Sequence, residues 1–128
     1  MKNSIKKLSL PVALIFSLLV FAIPSSAATN TSVELSPYID GVKARNSSYI
    51  TTNPGVITVK INGDIGIWSA VYWALVDSKG KVYKSGGVNH GEKVNTKVKV
   101  SGGKYRLHLD TAQNDVSVKG SIVWSLNK

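Results

Sequence analysis

Apolar and polar residues alternate with a period of two from Val33 toward the C-terminus, and no window of about 11 residues carries apolar side chains at helical spacing. Successive side chains of a strand point to opposite faces, so this alternation predicts strands with one face in a core and one in water. Val56 to Asn62 sets Ile57, Val59 and Ile61 against Thr58, Lys60 and Asn62. Ile65 to Val76 is apolar on both sides, with Ile67, Val71, Trp73 and Leu75 on one and Trp68, Ala70, Tyr72, Ala74 and Val76 on the other. A strand of that kind is central, with its second face either covered or used for binding.

Turn chemistry sets the remaining boundaries. Thr29 to Ser32 reads as a mobile polar leader, and Val33 to Ile39 as a strand whose Pro37 confines it to a sheet edge. Asp40-Gly41, Arg45 to Ser48, Asn53-Pro54-Gly55, Asn62-Gly63-Asp64 and Asp77 to Gly80 are turn material. Tyr49 to Thr52 and Lys81 to Ser85 are short strands, the latter before a flexible Gly86-Gly87. A two-residue turn at Gly102-Gly103 would pair Ser101 with Lys104, Val100 with Tyr105, Lys99 with Arg106, Val98 with Leu107 and Lys97 with His108, matching apolar to apolar throughout. Val116 to Asn127 closes the chain with Val116, Val118, Ile122, Trp124 and Leu126 inward and Gly120 at a bulge or close approach. About eight such strands predict an all-β fold, an antiparallel β-sandwich of jelly-roll type.

The N-terminal end is built differently. Lys2, Lys6 and Lys7 precede an apolar run from Val12 to Ile23 and the small residues Ser25 to Ala28, the pattern of a cleaved export signal. A run this short does not reach the roughly 20 residues that span a bilayer. Residues 1–27 are thus expected to be a signal peptide, with cleavage after Ala27 favoured over Ala28, and residues 28–128 a secreted extracellular domain. Loss of three lysines leaves 13 basic residues against 7 acidic ones, a net charge of +6. Outside a cell such a surface either serves solubility alone or favours polyanions. The chain has no Cys, which excludes a disulfide scaffold, a thiol nucleophile and a thiolate metal site.

Two groups of residues are candidates for a binding site. In the expected hairpin, Lys97, Lys99, Lys104, Arg106 and His108 share the outward face, with Asp110 to counter them. This face is either a landing site for an anionic polymer or a solvated surface whose lysines discourage edge pairing. Trp68 and Tyr72, opposite Trp73 by parity, are either covered or free to stack on a sugar or to sit at a membrane interface. Catalytic chemistry has little support: His90 lies in a Gly-rich loop, and His108 with Asp110 makes at most a nuclease-like pair. Two histidines without ligand spacing and loop aspartates without a calcium-loop motif specify no metal, and no cofactor or nucleic-acid reader motif is present. Asn30-Thr31-Ser32 and Asn46-Ser47-Ser48 match the glycosylation acceptor pattern.

The segment Val100-Ser101-Gly102-Gly103-Lys104-Tyr105-Arg106-Leu107-His108-Leu109, with the strand running on to Trp124, resembles the end of bacterial pre-peptidase C-terminal domains, in which a Gly-x-Tyr turn opens the penultimate strand. The resemblance spans about a quarter of the expected mature chain. It implies a jelly-roll fold, secretion by a bacterium, and accessory or binding work, although no enzyme domain accompanies it here. The combined reading is a secreted non-enzymatic β-sandwich that binds an anionic polymer, glycan or membrane surface. A cationic antimicrobial or membrane-active toxin is the alternative, and a small hydrolase or inhibitor a third.

Overall fold

The computed structural model describes residues 29–126. The expected export signal and its cleavage site lie outside them. Among the described residues there are nine strands, β1 (Asn30–Leu35), β2 (Ala44–Asn46), β3 (Ile50–Thr52), β4 (Gly55–Ile65), β5 (Ala70–Asp77), β6 (Val82–Asn89), β7 (Val94–Val100), β8 (Gly103–Asp110) and β9 (Val116–Ser125), with one short helix, α1 (Pro37–Asp40). They form a β-sandwich of the expected class. One sheet has the order β1-β9-β4-β7; the other has β2-β8-β5-β6, with β3 also pairing with β8. Every pairing is antiparallel.

The alternation does what it predicts for burial. Leu35, Ile57, Val59, Ile61, Val118 and Ile122 from the first sheet meet Val71, Trp73, Leu75, Val88, Tyr105, Leu107 and Leu109 from the second in one core. Full burial of each such side chain contributes about 1.5–3 kcal/mol, enough to hold a cysteine-free domain together. β5 is central, as its two-sided apolarity implies, and β1 occupies a sheet edge, as expected, although Pro37 lies beyond its end.

Several local expectations are corrected. The Gly102-Gly103 hairpin does not exist. β7 pairs with β4, setting Val98 against Ile57 and Lys97 against Thr58, while β8 lies in the other sheet with β2 and β3 on one edge and β5 on the other. With both edges of β8 occupied, no place remains for β7, and residues 101–102 cross between the sheets instead. Asn62-Gly63-Asp64 is not a turn either: β4 continues through it, and Gly63 pairs with Val118 of β9. The long strand expected from Ile65 to Val76 is broken at residues 66–69, where the chain passes from one sheet to the other. Residues 30–32 belong to β1 rather than to a leader, because β9 offers them an edge to pair with. β1 ends at Leu35, and Pro37, which lacks an N–H, opens α1. Gly86 and Gly87 lie within β6, paired with Trp73 and Tyr72. Leu126 is exposed just past the end of β9.

Candidate functional site

The crossing at residues 101–102 decides where the cations point. Lys97 and Lys99 stand on the outer face of the first sheet, and Lys104, Arg106 and His108 on the outer face of the second. The single basic ladder expected from the hairpin is therefore split between opposite faces of the sandwich. Trp68 leaves the strand as well. It sits in the turn at residues 66–69, 93% exposed, while Tyr72 projects from the outer face of β5, 43% exposed. Trp73, on the other side of β5, is buried in the core.

Each exposed ring lines a depression at or beside the outer face of the second sheet. A depression of about 280 Å³ is lined by Ala70, Tyr72, Gly87, Asp110, Thr111 and Gln113. One of about 460 Å³ is lined by Trp68, Ser69, Ala70, Asn89, His90 and Gln113. They share Ala70 and Gln113, so they adjoin along these residues as two parts of a shallow trough. Its floor is low because small residues stand where strand side chains would otherwise fill it, Ala70 facing Asn89 and Gly87 facing Tyr72 across the β5–β6 pair.

Hydrogen bonds hold the walls. The Gly66 N–H donates to Asp115 O at 2.9 Å and Ser69 Oγ donates to Asp115 Oδ1, clamping the Trp68 turn against residues 111–115. A Cβ at Gly66 would meet the Asp115 carboxylate, which would have to swing aside and give up the bond from Ser69. Thr111 Oγ1 donates to Ala70 O at 2.7 Å, and the Ala70 N–H donates to Gln113 Oε1 at 3.3 Å, which fixes the Gln113 carboxamide at the middle of the trough. His90 Nδ1 donates to Ile65 O at 2.6 Å beneath the Trp68 end.

At the Tyr72 end, His108 meets the tyrosine ring edge-on at a centroid distance of 6.4 Å. Its Nε2 donates to Asp110 Oδ2 at 2.7 Å, and its Nδ1 lies 2.8 Å from Asn46 Oδ1. The pairing of His108 with Asp110 suggested by the sequence is thus real, but both ring nitrogens are engaged within the protein. Farther along the same face, the Arg106 guanidinium stacks over Tyr49 at 4.8 Å from the ring centroid. No group of three or more potential metal-ligating side chains occurs among the described residues.

Tyr72 is brought together with His108, and Trp68 lines the adjoining depression, while Lys97 and Lys99 are taken to the other sheet. Sequence reasoning missed Asn46, Tyr49, Asn89, Thr111 and Gln113. These lie on short strands, at a strand end or in a loop, where no periodicity marks a residue for a site.

No protein-family model and no curated protein matches the sequence. Among solved structures the chain is similar to the pre-peptidase C-terminal domain of collagenase from Bacillus anthracis, with 17% identity, coverage of 75% of this chain and 89% of that one, and a TM-score of 0.53. The likeness is one of fold. It extends the resemblance seen at the Gly-x-Tyr segment from a quarter of the expected mature domain to three-quarters of the chain, and Gly103-Lys104-Tyr105 does open the penultimate strand. Two further structures are more remote: TmCBM61 in complex with β-1,4-galactotriose (15% identity, 74% and 68% coverage, TM-score 0.41) and a carbohydrate-binding module from Cellvibrio mixtus lichenase 5A in complex with cellotriose (9% identity, 79% and 91% coverage, TM-score 0.38).

Proposed function

We propose that this chain is a secreted, non-enzymatic β-sandwich domain that holds a polymeric glycan in the trough between Trp68 and Tyr72. The observation that carries the reading is the adjacency of two depressions, each lined by an exposed aromatic ring. A sugar ring offers an apolar C–H face to an aromatic side chain and a rim of hydroxyls to hydrogen-bonding groups. Trp68 and Tyr72 provide the first, and Asp110, Gln113 and Asn89 line the trough with the second. The fixed walls leave little conformational freedom to lose on binding. Lys104 and Arg106, on the same outer face, would add attraction for acidic substituents on the polymer.

The test is titration of the purified protein with a panel of neutral and acidic oligosaccharides. Trp68→Ala and Tyr72→Ala are each expected to weaken binding about tenfold, equivalent to about 1.4 kcal/mol. Binding of neutral sugars should not change between about 50 and 300 mM salt, over which the Debye length falls from roughly 14 to 6 Å. Because both side chains project into solvent, the variants keep the fold, and wild-type affinity in both would refute the reading.

A second reading rests on the end of the sandwich where β1 and β4 finish together against the start of β9. Tyr38 and Ile39 of α1 are 78% and 79% exposed there, and Ile67 beside Trp68 is 68% exposed. Aromatic and branched side chains on adjoining loop tips suit a lipid interface. Dye release from anionic liposomes that Ile67→Ser and Ile39→Ser abolish would favour this contact over the glycan trough.

A further inference from the structure

Two polar side chains of the depression beside Trp68 have their hydrogen-bonding sense fixed from behind. His90 Nδ1 lies 2.6 Å from Ile65 O. A main-chain carbonyl only accepts, so Nδ1 carries a proton, and in the neutral ring Nε2 is a bare acceptor. The Ala70 N–H lies 3.3 Å from Gln113 Oε1. A main-chain amide only donates, so the carboxamide turns its oxygen to the protein and is left with an NH2 group of two donors. Neither Nε2 of His90 nor Nε2 of Gln113 has a hydrogen-bond partner among the described residues.

The acceptor and the donor come from opposite sides of β5. His90 follows β6 and Gln113 follows β8, and β5 runs between those strands, with Ala70 paired to Asn89 on one side and bonded to Thr111 Oγ1 on the other. Neighbouring strands are about 4.8 Å apart, so β6 and β8 are separated by roughly 10 Å. His90, Gln113 and Trp68 line one depression, and among the described residues lining it there is no Lys, Arg, Asp or Glu. Ser69 Oγ, in the same depression, is already engaged by Asp115.

A ligand group that meets both sides needs a donor and an acceptor facing opposite ways, and no charge. An acetamido group has that form. Its planar amide holds N–H and C=O antiparallel, and the two cannot exchange roles as a hydroxyl can. A hydroxyl in its place reaches one side of the depression only. Laid over Ala70, the acetamido N–H donates to His90 Nε2 and its carbonyl accepts from Gln113 Nε2. Its methyl then has the ring of Trp68, 93% exposed, to pack against. We infer that the polymer is built from N-acetylated amino sugars and that the Trp68 depression is the subsite for the N-acetyl group, an inference that rests on the glycan reading above.

Three tetrasaccharides with one β-1,4-linked glucose backbone are the probes: N-acetylchitotetraose, cellotetraose and chitosan tetraose, which carry acetamido, hydroxyl and amino groups at the same ring carbon. Calorimetric titration of the purified protein should find the N-acetyl form at least about tenfold tighter than the other two, which leave His90 or Gln113 unpaired. His90→Asn keeps a side-chain N–H for Ile65 O and removes the outward acceptor. Gln113→Glu keeps an oxygen for the Ala70 N–H and sets a second one against the acetamido carbonyl. Each should weaken N-acetylchitotetraose about tenfold. Cellotetraose, whose hydroxyl can donate to a carboxylate, should bind Gln113→Glu as it binds the wild type, a contrast that a folding defect cannot produce. Equal losses for both sugars, wild-type affinity in both variants, or equally tight binding of the uncharged peptide N-acetyl-tetraalanine amide would overturn the inference. Preference for a sugar without N-acetyl groups that Trp68→Ala still weakens would refute this subsite alone, and no binding of any oligosaccharide would refute the glycan reading with it.

Discussion

Gly63→Ala gives the sharpest test of the architecture, because the strand seen in the structure and the turn suggested by Asn62-Gly63-Asp64 make different demands on that residue. Gly63 has φ = +145° and pairs with Val118, and a Cβ there would collide with Ser117 O and lie 2.6 Å from Val118 Cα. Both obstacles are backbone of the neighbouring strand, so no rotamer change relieves them. The backbone conformation alone costs an alanine about 1–3 kcal/mol. Forcing β4 and β9 apart adds about 1–3 kcal/mol, as for other overpacked interiors. Restricting the unfolded chain returns about 0.4–1 kcal/mol. The net loss is about 3 kcal/mol, which lowers the melting temperature of a domain of roughly 100 residues by about 12–24 °C.

Gly80→Ala is the matched control. Its φ is +87°, but a Cβ there meets nothing within 4 Å, so it carries strain without collision. It should cost about 1 kcal/mol and move the melting temperature by about 4–8 °C. Thermal and urea unfolding followed by circular dichroism measures both variants, with an unchanged urea slope confirming that stability alone has altered. Were Gly63 in a solvent-facing turn, the two substitutions would cost the same. A Gly63→Ala protein melting within about 3 °C of Gly80→Ala would refute the continuous strand and with it the β4–β9 register.

Two other outcomes follow from the same fold. Because the chain has no cysteine, paired substitutions report strand neighbours directly: Thr58→Cys with Lys97→Cys should form a disulfide under mild oxidation, since directly opposed residues fall within bridging distance, whereas Lys97→Cys with His108→Cys should not. Mass spectrometry after alkylation distinguishes them, and the opposite result would restore the hairpin. Burial raises the Tyr105 hydroxyl above its ordinary value near 10, and the nearby Tyr83 pushes it the same way, against a lowering by its hydrogen bond with Ser101. The folded state thus holds this proton more tightly than the unfolded chain does, so the contribution is complete below pH 10 and is lost as pH rises above it. Stability measured by urea unfolding from pH 8 to 11.5 should fall more steeply for the wild type than for Tyr105→Phe; parallel curves would contradict the assignment.

The core was legible because it depends only on parity. Ile57, Val59, Ile61, Leu107 and Leu109 are buried whichever strands they pair with, as burial asks only that alternate residues face the same way. The trough was legible in part. Parity put Trp68 on the same strand face as Tyr72, and the structure exposes both, but Trp68 is exposed by a turn rather than by a strand face. The sequence could not separate the two cases because the turn is held by bonds from Gly66 and Ser69 to Asp115, more than 40 positions along the chain. Gln113 and Asn89 gave no signal for a similar reason: a polar residue in a loop or at a strand end looks the same whether it faces water or a ligand.

Strand partnership is the quantity that alternation leaves open, and it controls the site more than any single residue does. A hairpin at Gly102-Gly103 and a crossing between sheets both bury Val98, Val100, Tyr105 and Leu107, so the two satisfy the hydrophobic pattern equally well. They differ in where the polar residues go. A hairpin turns Lys97 and Lys99 to the same side as Lys104 and Arg106; a crossing turns them to opposite outer surfaces, since each sheet faces the core with its apolar side. Like charges such as Lys99 and Arg106 repel when directly opposed across a strand pair, and the crossing removes that cost. What favours the crossing is occupancy: β2 and β3 hold one edge of β8 and β5 holds the other, while β4 gives β7 a seven-residue partner from Gly55 to Ile61. One long-range choice of neighbours therefore converts a single mixed cluster of cations into two surfaces of different chemistry. Depressions lined by Trp68 and Tyr72 lie on the side of one sheet, and Lys97 and Lys99 on the outer face of the other.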